Sequence, residues 1–207
     1  MMNQSRRDFI RNSSVFGLSS FLPFNKKFFK MNRKIRTAHI GVGGMGLNDL
    51  KAISSHKNVE VTALCDVDSK LLNQALKLFP KAKIFRDYRV LLNNLDNEID
   101  AVVISTPDHT HGPASIMAMK KGKAIYCQKP LTNNVLEARE MSKISFRKKL
   151  VTQMGIQVHS FYDYKLAKLL IQDGVVGKIH TVRAWSPKNW GFDGKLPEKE
   201  DEIPENL

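Results

Sequence analysis

The sequence predicts an α/β fold built on a doubly wound parallel sheet, and two observations support this prediction. Apolar segments typical of strands alternate with helical segments throughout residues 34–155. A glycine-rich turn at residues 41–46, GVGGMG, directly follows the first of these strands. Strands that alternate with helices favour a parallel sheet with helices on both faces, because each crossover needs a helix to return the chain.

The expected elements follow one another in a regular order. The hydrophobic pattern predicts strands over residues 35–42, 59–65, 84–85, 101–105, 124–127 and 150–154. Helices are predicted over residues 44–55, 69–79, 88–95, 112–121 and 133–146. Asn133 or Asn134 is a suitable N-cap for the last helix, and Gly122 is a suitable C′ residue for the helix before it.

Three segments of the chain differ in composition. Residues 1–31 form a basic leader, residues 34–155 the domain of alternating strands and helices, and residues 156–207 the incomplete start of a second domain. In this last segment we expect a helix from Tyr162 to Gln172 and a strand from Ile179 to Trp185. One helix and one strand cannot bury a face by themselves, so the sequence is expected to be a fragment of a longer protein.

The net charge of +13 is concentrated near the beginning of the chain. Residues 1–37 carry nine of the 33 Lys and Arg residues but one of the 20 Asp and Glu residues. Because the rest of the chain lacks a basic stripe interleaved with aromatic residues, the charge does not indicate a nucleic-acid partner. Residues 5–10, SRRDFI, precede a modest apolar segment at 15–24 and resemble a twin-arginine export signal.

This leader predicts export to the periplasm, and the alternative is a cytoplasmic protein that begins at Met31. No apolar stretch reaches the length of a transmembrane span, so stable membrane insertion is not expected. Cys65 and Cys127 both end apolar strands and form no C-x-x-C motif. We expect them to be buried as small hydrophobic residues rather than to serve a metal or redox site.

The glycine-rich turn predicts a dinucleotide site. Gly41 allows a tight turn, Gly43 lets the backbone approach a pyrophosphate, and Gly46 lets the helix pack closely on the sheet. The N–H groups at Gly44 and Met45, at the helix start, complete the phosphate site. A strand-to-helix turn without a ligand is the alternative.

Asp66 lies twenty residues after the last glycine, at the end of the second strand. An acid at this spacing accepts hydrogen bonds from a ribose diol. Because its charge would repel a 2′-phosphate, NAD is the expected cofactor. Lys70 is close enough in sequence to soften this repulsion, so NADP stays an alternative.

Three further segments follow strands and should meet at the same edge of the sheet: residues 105–111, 127–130 and 155–159. Lys129 is the strongest catalytic candidate, since an ammonium there could hydrogen-bond a reacting hydroxyl and stabilise alkoxide character. The alternative is an ordinary solvated lysine. Pro130 follows it and makes a cis peptide bond conceivable.

Two histidines, His109 and His111, could suggest a metal site, but such a pair needs a third ligand and none is evident. We therefore expect no metal, one histidine lining the crevice, and the other in solvent. His159 could face a substrate or be a polar turn residue.

Four motifs in order, GVGGMG, Asp66, TPDHTH and CQKP, resemble the Gfo/Idh/MocA oxidoreductases, the family of glucose–fructose oxidoreductase and inositol dehydrogenase. The resemblance covers about residues 34–185. It implies a Rossmann domain, a second α/β domain with a mostly antiparallel sheet, and NAD(P)-linked chemistry on sugars, polyols and related carbonyls. It also implies a homo-oligomer for the full-length protein.

The resemblance assigns further residues to the cofactor site. The TPxxxH motif of the family falls on Thr106, Pro107 and His111, and its E-K-P motif falls on Gln128, Lys129 and Pro130. Glutamine has replaced glutamate, so position 128 can hydrogen-bond but carries no charge. The catalytic Asp and His of the family are expected beyond residue 207.

Three functions remain open from the sequence. The first is a nicotinamide-dependent oxidoreductase acting on a sugar or polyol. The second is a glycosidase-like enzyme that uses bound NAD for transient oxidation and elimination. The third is an inactive nucleotide-binding remnant or regulatory protein.

Overall fold

The computed structural model describes residues 33–185 and 205–206, and its centre is a parallel sheet of six strands. The strands are β1 (Ile35–Ile40), β2 (Val59–Cys65), β3 (Lys83–Phe85), β4 (Ala101–Ile104), β5 (Ala124–Gln128) and β6 (Thr152–Gly155). Their order across the sheet is β3-β2-β1-β4-β5-β6. From β1 the chain adds β2 and β3 on one side of the sheet, and it then adds β4, β5 and β6 on the other side. This reversal in strand order between β1 and β4 confirms the doubly wound α/β prediction.

The register aligns the ends of the strands that border this reversal. Ile40 pairs with Cys65 on one side and with Ile104 on the other, and Ile104 pairs with Cys127. The loops that follow these four residues therefore leave the sheet at one edge, where open parallel sheets bind their ligands.

Within the described residues, five α-helices cover the two faces of the sheet, and a sixth follows them along the chain. They are α1 (Gly44–Ser54), α2 (Ser69–Leu78), α3 (Tyr88–Asn94), α4 (Asp108–Lys120), α5 (Val135–Lys148) and α6 (Tyr162–Gln172). Asn134 caps α5, since its side chain accepts the Glu137 N–H at 2.9 Å, and Gly122 has a φ of 79° just after α4. Both capping expectations are confirmed.

Two apolar layers hold the sheet between these helices. On one face, buried residues of β1, β2, β4 and β5 pack against α3, α4 and α5. On the other face, Val42 and Leu64 pack with Leu50 of α1 and with Leu72 and Ala75 of α2. Because side chains alternate along a strand, neighbouring residues of one strand serve both layers.

The two cysteines belong to the first of these layers, as expected. Cys65 and Cys127 are free thiols and are at most 2% exposed. Burial raises the pKa of the Cys65 thiol to about 12, with the negative charges of Asp66 and Asp87 adding to the effect. Burial likewise raises the pKa of Cys127. Both thiols are therefore protonated and packed as apolar groups.

Most predicted boundaries are within two residues of those in the structure, and the start of one helix is wrong by four residues. Helix α4 begins at Asp108 rather than at Gly112, because Pro107 (φ −57°, ψ 150°) ends the extended segment and serves as the N-cap residue. Pro113 is tolerated inside the helix, where its missing N–H removes one early hydrogen bond. Strand β6 begins at Thr152 rather than at residue 150.

The expected strand at residues 179–185 is not formed. None of the described strands pairs with this segment, and an unpaired strand leaves its backbone groups without partners. The expected helix from Tyr162 to Gln172 is present as α6, and its residues are exposed. Within residues 33–185 no helix is both long and apolar enough to cross a membrane.

Candidate functional site

The turn between β1 and α1 requires glycine at Gly41 and Gly46, where a Cβ would meet backbone atoms. Gly41 has a φ of 83°, and a Cβ there would lie 2.6 Å from the carbonyl oxygen of Ser105. A Cβ on Gly46 would collide with the carbonyl oxygen of Gly41, so the helix could not approach the turn as it does. At Gly43 a Cβ would collide with the side chain of Leu71. The turn is therefore a close-packed backbone structure.

The first turn of α1 presents free backbone N–H groups to the crevice. Gly43 is the N-cap residue and supplies no capping side chain. The Leu47 N–H is bonded to the Gly43 carbonyl at 3.3 Å, which leaves the N–H groups before it available. Met45 in this turn is 47% exposed. These donors, together with the helix dipole, form a site suited to phosphate groups.

Asp66 is fixed beside this turn by backbone amides. One carboxylate oxygen accepts the Val42 N–H at 2.8 Å, and the other accepts the Asp68 N–H at 3.0 Å. Each carboxylate oxygen has a second lone pair that can accept a hydroxyl hydrogen. The acid therefore stands beside the phosphate site in an orientation set by the main chain.

A crevice of about 650 Å³ runs along this edge of the sheet. It is lined by the predicted residues Gly41, Gly43, Asp66, Thr106 and Pro107, among others. The Thr106 hydroxyl is buried and has no partner among the described residues. An unpaired buried hydroxyl is costly, and a polar ligand group would relieve this cost. The donors, the acid and this hydroxyl together fit a dinucleotide.

The two histidines of the β4–α4 segment have different environments. His109 is exposed and lines the crevice. His111 is 1% exposed, and its Nδ1 and Nε2 lie 2.6 Å and 2.7 Å from the carbonyl oxygens of Pro130 and Thr106. One histidine, His109, lines the crevice as expected, but the expectation that the other lies in solvent is wrong, because His111 is buried. The buried ring of His111 lies between the segment that lines the crevice at Thr106 and the segment that follows β5.

Lys129 follows β5 at the same edge of the sheet and is exposed. Gln128 before it is 4% exposed, and its Oε1 accepts the Lys129 N–H at 3.2 Å. The peptide bond between Lys129 and Pro130 is cis. The structure thus brings the QKP segment to the carboxyl edge of the sheet, beside the segment that contains Thr106.

The sequence reasoning missed Asp49 and its contact with Ser105. The side chain of Asp49 on α1 accepts hydrogen bonds from Gln128 and from the Ser105 hydroxyl, the latter at 2.7 Å. One signal could have found Asp49: an acid lies next to Leu50 within the apolar pattern of α1, where a hydrophobic residue is expected.

The third predicted segment lies after β6. His159 is exposed and stacks on Tyr164, with ring centroids 5.5 Å apart. The Gln157 side chain reaches the Met45 sulfur at 3.6 Å, which brings this segment to the start of α1. Among residues 33–185 and 205–206, no cluster of His, Cys, Asp or Glu is arranged to hold a metal ion.

The fold and the crevice define a dinucleotide-binding domain. The sequence profile of the Gfo/Idh/MocA family, described as "Oxidoreductase family, NAD-binding Rossmann fold", matches residues 35–156. This chain belongs to that family, which confirms the resemblance seen in the four motifs. NAD is accordingly its cofactor.

Relatives and solved structures agree with this assignment. A glycosyl hydrolase family 109 protein from Stenotrophomonas maltophilia is 36% identical over 137 residues, which are 62% of this chain and 30% of that protein. An inositol 2-dehydrogenase/D-chiro-inositol 3-dehydrogenase from Lactiplantibacillus plantarum is 33% identical over 145 residues, 67% of this chain and 40% of that protein. The crystal structure of myo-inositol 2-dehydrogenase from Lactobacillus plantarum matches with a TM-score of 0.66 at 28% identity, covering 71% of this chain and 43% of that one. The chain spans less than half the length of each.

Proposed function

We propose that this chain is the cofactor-binding part of an oxidoreductase that transfers hydride between NAD and a sugar, a polyol or a related carbonyl compound. The position of Lys129 carries the proposal, because it follows β5 at the same edge of the sheet as the crevice, next to the residues that line it rather than among them. The inositol dehydrogenases among the relatives support the substrate class. Since the chain spans less than half of those proteins, the activity of the whole protein is part of the proposal.

The proposed role of Lys129 follows from the charge that the reaction develops. Oxidation of an alcohol removes a hydride from carbon and a proton from its hydroxyl group, leaving a carbonyl. The Lys129 ammonium would donate a hydrogen bond to this oxygen and stabilise its growing negative charge. NAD, when bound, supplies the hydride acceptor. We expect the proton acceptor to lie outside residues 34–185.

Substitution of Lys129 tests this role in the full-length protein. Lys129→Ala should lower turnover on the order of 100-fold or more and largely spare NAD affinity, as expected for a group that acts on developing charge. Lys77→Ala is the matched control, since Lys77 is an exposed lysine in the last turn of α2. Undiminished turnover in Lys129→Ala would remove Lys129 from the mechanism.

The residues of the glycine turn would hold the pyrophosphate, and Asp66 would hold the adenosine ribose of NAD. Asp66→Ala should weaken NAD binding and reduce the preference for NAD over NADP, because the charge that repels a 2′-phosphate is lost. Asp66→Asn also removes the charge but keeps one acceptor oxygen, so it should weaken NAD less. Calorimetric titration of both variants with both nucleotides checks this. Tighter NADP than NAD binding by the unaltered chain would contradict the role of Asp66.

The 207-residue chain is expected to bind NAD weakly or moderately but to turn over no substrate. Its phosphate turn and Asp66 are assembled within residues 34–155. The proton acceptor and the substrate pocket are expected elsewhere in the full-length protein. Measurable dehydrogenase turnover by this chain alone would overturn the expectation.

A second candidate is a glycosidase-like enzyme in which bound NAD is reduced and then reoxidised within one catalytic cycle. The 36% identity to a glycosyl hydrolase family 109 protein favours it. Both reactions need the same placement of Lys129, so substitutions there do not separate them. Accumulation of free NADH with substrate would support the dehydrogenase, and product release without net NADH would support the glycosidase.

Export by a twin-arginine signal is the proposed localisation, and residues 1–32 lie outside the described part of the chain. The paired Arg6 and Arg7 support it. A reporter fused to residues 1–40 should be exported, and changing both arginines to lysine should block this. A reporter that stays in the cytoplasm with either sequence would show that the assignment is wrong.

A further inference from the structure

Asp49 of α1 is a carboxylate, 9% exposed, whose described hydrogen-bond partners are neutral groups. Its two oxygens lie 3.1 Å and 2.8 Å from Nε2 of Gln128. The second oxygen also accepts the Ser105 hydroxyl at 2.7 Å. A buried charge of this kind is costly unless hydrogen bonds compensate it. The contacts therefore join the ends of β4 and β5 to the helix that follows the glycine turn.

The carboxylate determines which way the Gln128 amide points. An ionised carboxylate only accepts hydrogen bonds, so the NH₂ end of the amide must face Asp49. Oε1 is then left on the other side, where it accepts the Lys129 N–H at 3.2 Å. A chain of hydrogen bonds thus runs from Asp49 through Gln128 to the backbone of Lys129.

The negative charge of Asp49 also explains why an amide suits position 128. The family resemblance implies glutamate there, but a carboxylate in place of the Gln128 amide would face Asp49 at hydrogen-bond distance. Two carboxylates held so closely in a buried place repel each other, and one of them must stay protonated or move. Asp49 and Gln128 are therefore a matched pair of one acceptor and one donor.

The space around this pair is closed by the end of β6. A Cβ on Gly155 would lie 2.8 Å from the Tyr126 hydroxyl oxygen and 2.9 Å from the amide carbon of Gln128. Burial, and after it the charge of Asp49, raises the pKa of Tyr126. Gln128 therefore packs directly on the backbone of Gly155, in a place that a side chain at position 155 would fill.

We propose that Asp49 is a positioning residue for Lys129, acting through the oriented amide of Gln128. Asp49 touches neither substrate nor cofactor in this role. It fixes the backbone that carries the proposed catalytic ammonium. The consequence for turnover rests on the function proposed above, whereas the pairing of Asp49 with Gln128 does not.

The test compares the unaltered chain with Gln128→Glu, with Asp49→Asn and with the variant that carries both changes. Gln128→Glu should lower the thermal midpoint by about 10 °C, because it confronts two buried carboxylates. The double variant exchanges the carboxylate and the amide, so it should recover at least half of that loss. Gln153→Glu adds the same charge at an exposed residue of β6 and should shift the midpoint by less than about 2 °C.

The backbone amide resonance of Lys129, observed by ¹H–¹⁵N NMR, separates positioning from simple stabilisation. In Gln128→Glu the introduced carboxylate should turn away from Asp49, so the Lys129 N–H changes its acceptor and its resonance moves. In the exchange variant the resonance should return towards its original position. If Asp49 contributed to stability alone, Gln128→Glu would lower the midpoint of thermal unfolding, but the Lys129 resonance would not move in that variant and return in the exchange variant.

Three outcomes would overturn the inference. They are an exchange variant no more stable than Gln128→Glu, an unfolded exchange variant, and a Lys129 resonance that does not move in Gln128→Glu. If Gln128→Glu does not fold but the exchange variant does, this rescue by the second substitution supports the pairing of Asp49 with Gln128. None of these measurements uses nucleotide or substrate. Normal turnover in Lys129→Ala would therefore reject the proposed function and leave the pairing intact.

Discussion

The two halves of the sheet build their parts of the crevice in different ways. In the half formed by β1, β2 and β3, the phosphate turn and Asp66 are shaped and held by main-chain groups. The Val42 N–H and the Asp66 carboxylate, for example, are 24 residues apart. In the half formed by β4, β5 and β6, side chains make the decisive contacts. Gln128 is oriented by Asp49, 79 residues earlier.

This difference separates nucleotide recognition from the placement of the proposed catalytic lysine. Main-chain recognition needs glycine where a Cβ would collide, and it is otherwise tolerant of sequence. Side-chain placement needs matched donors and acceptors from distant elements. Substitutions in the first half should therefore act through backbone collisions, and substitutions in the second half through unpaired polar groups.

The largest expected effect is on the first half. Gly46→Ala places a Cβ against the Gly41 carbonyl oxygen, a backbone atom that cannot move without opening the turn. NAD affinity should fall on the order of 100-fold or more, which corresponds to about 3 kcal/mol. Isothermal titration of the folded variant with NAD measures this loss.

Gly122→Ala is the matched control for this loss of affinity. Gly122 follows α4 with a φ of 79°, and a Cβ at this position would meet no described atom within 4 Å. The change should lower stability by about 1 kcal/mol through left-handed strain alone. NAD affinity should be unchanged. Equal losses of NAD affinity in both variants would show that the collision at Gly46 is not the cause of the loss.

The next effect tests the second half through His111. His111→Leu would remove the buried imidazole whose ring nitrogens lie beside the carbonyl oxygens of Thr106 and Pro130, which should lower the free energy of unfolding by about 3 kcal/mol. His109→Leu is the control, because His109 is exposed and should change stability by less than about 0.5 kcal/mol. Urea unfolding compares the two. A His111→Leu variant as stable as the control would mean that the ring is not needed to join these segments.

The same contrast explains what the sequence could reveal. Gly41, Gly46 and Asp66 were recognised because a short motif with fixed spacing is enough to specify a site made of local backbone. The sheet was recognised because strand and helix periods are local patterns as well. Asp49 was not recognised, because its meaning depends on Gln128 in another strand, and no local period links the two residues.

The two histidines show a second limit of local sequence patterns, because a small error in a helix boundary changes which side chains are buried. The spacing of His109 and His111 suggested that one lies in the crevice and one in solvent. Helix α4 begins four residues earlier than expected, so His111 lies inside the helix and faces the core. An error of one helical turn is enough to change the environment of a side chain from exposed to buried.

A smaller effect concerns β1, the strand of the first half that pairs with β4 of the second half. His39 is fully buried there, and burial lowers its pKa to about 3. In the unfolded chain His39 takes up a proton below about pH 6.5, but in the folded chain it stays neutral. Its contribution to stability is therefore complete above that pH and is lost as the pH falls towards 3.

The free energy of unfolding should fall by about 2 kcal/mol from this group between about pH 7 and pH 5. His39→Leu should remove this part of the pH dependence, and urea unfolding at the two pH values measures the difference. If the variant and the unaltered chain lose stability equally over this range, His39 is not the group responsible.

The smallest expected effect returns to the first half and separates its side chains from its backbone. Asp68 caps α2 with its carboxylate, which accepts the Lys70 N–H at 2.8 Å, and its own N–H holds Asp66 at 3.0 Å. Asp68→Ala should cost about 1 kcal/mol of stability through the lost cap, whereas Asp68→Asn keeps the cap and should cost less than about 0.3 kcal/mol.

Neither substitution of Asp68 removes the backbone N–H that orients Asp66. NAD affinity should therefore stay within about threefold in both variants, a change of less than about 0.7 kcal/mol. Parallel urea unfolding and NAD titration measure the two quantities on the same samples. A large loss of affinity in Asp68→Asn would mean that the Asp68 side chain, rather than the main chain, determines the ribose end of the crevice. The proposed contrast between the two halves would then fail at this point.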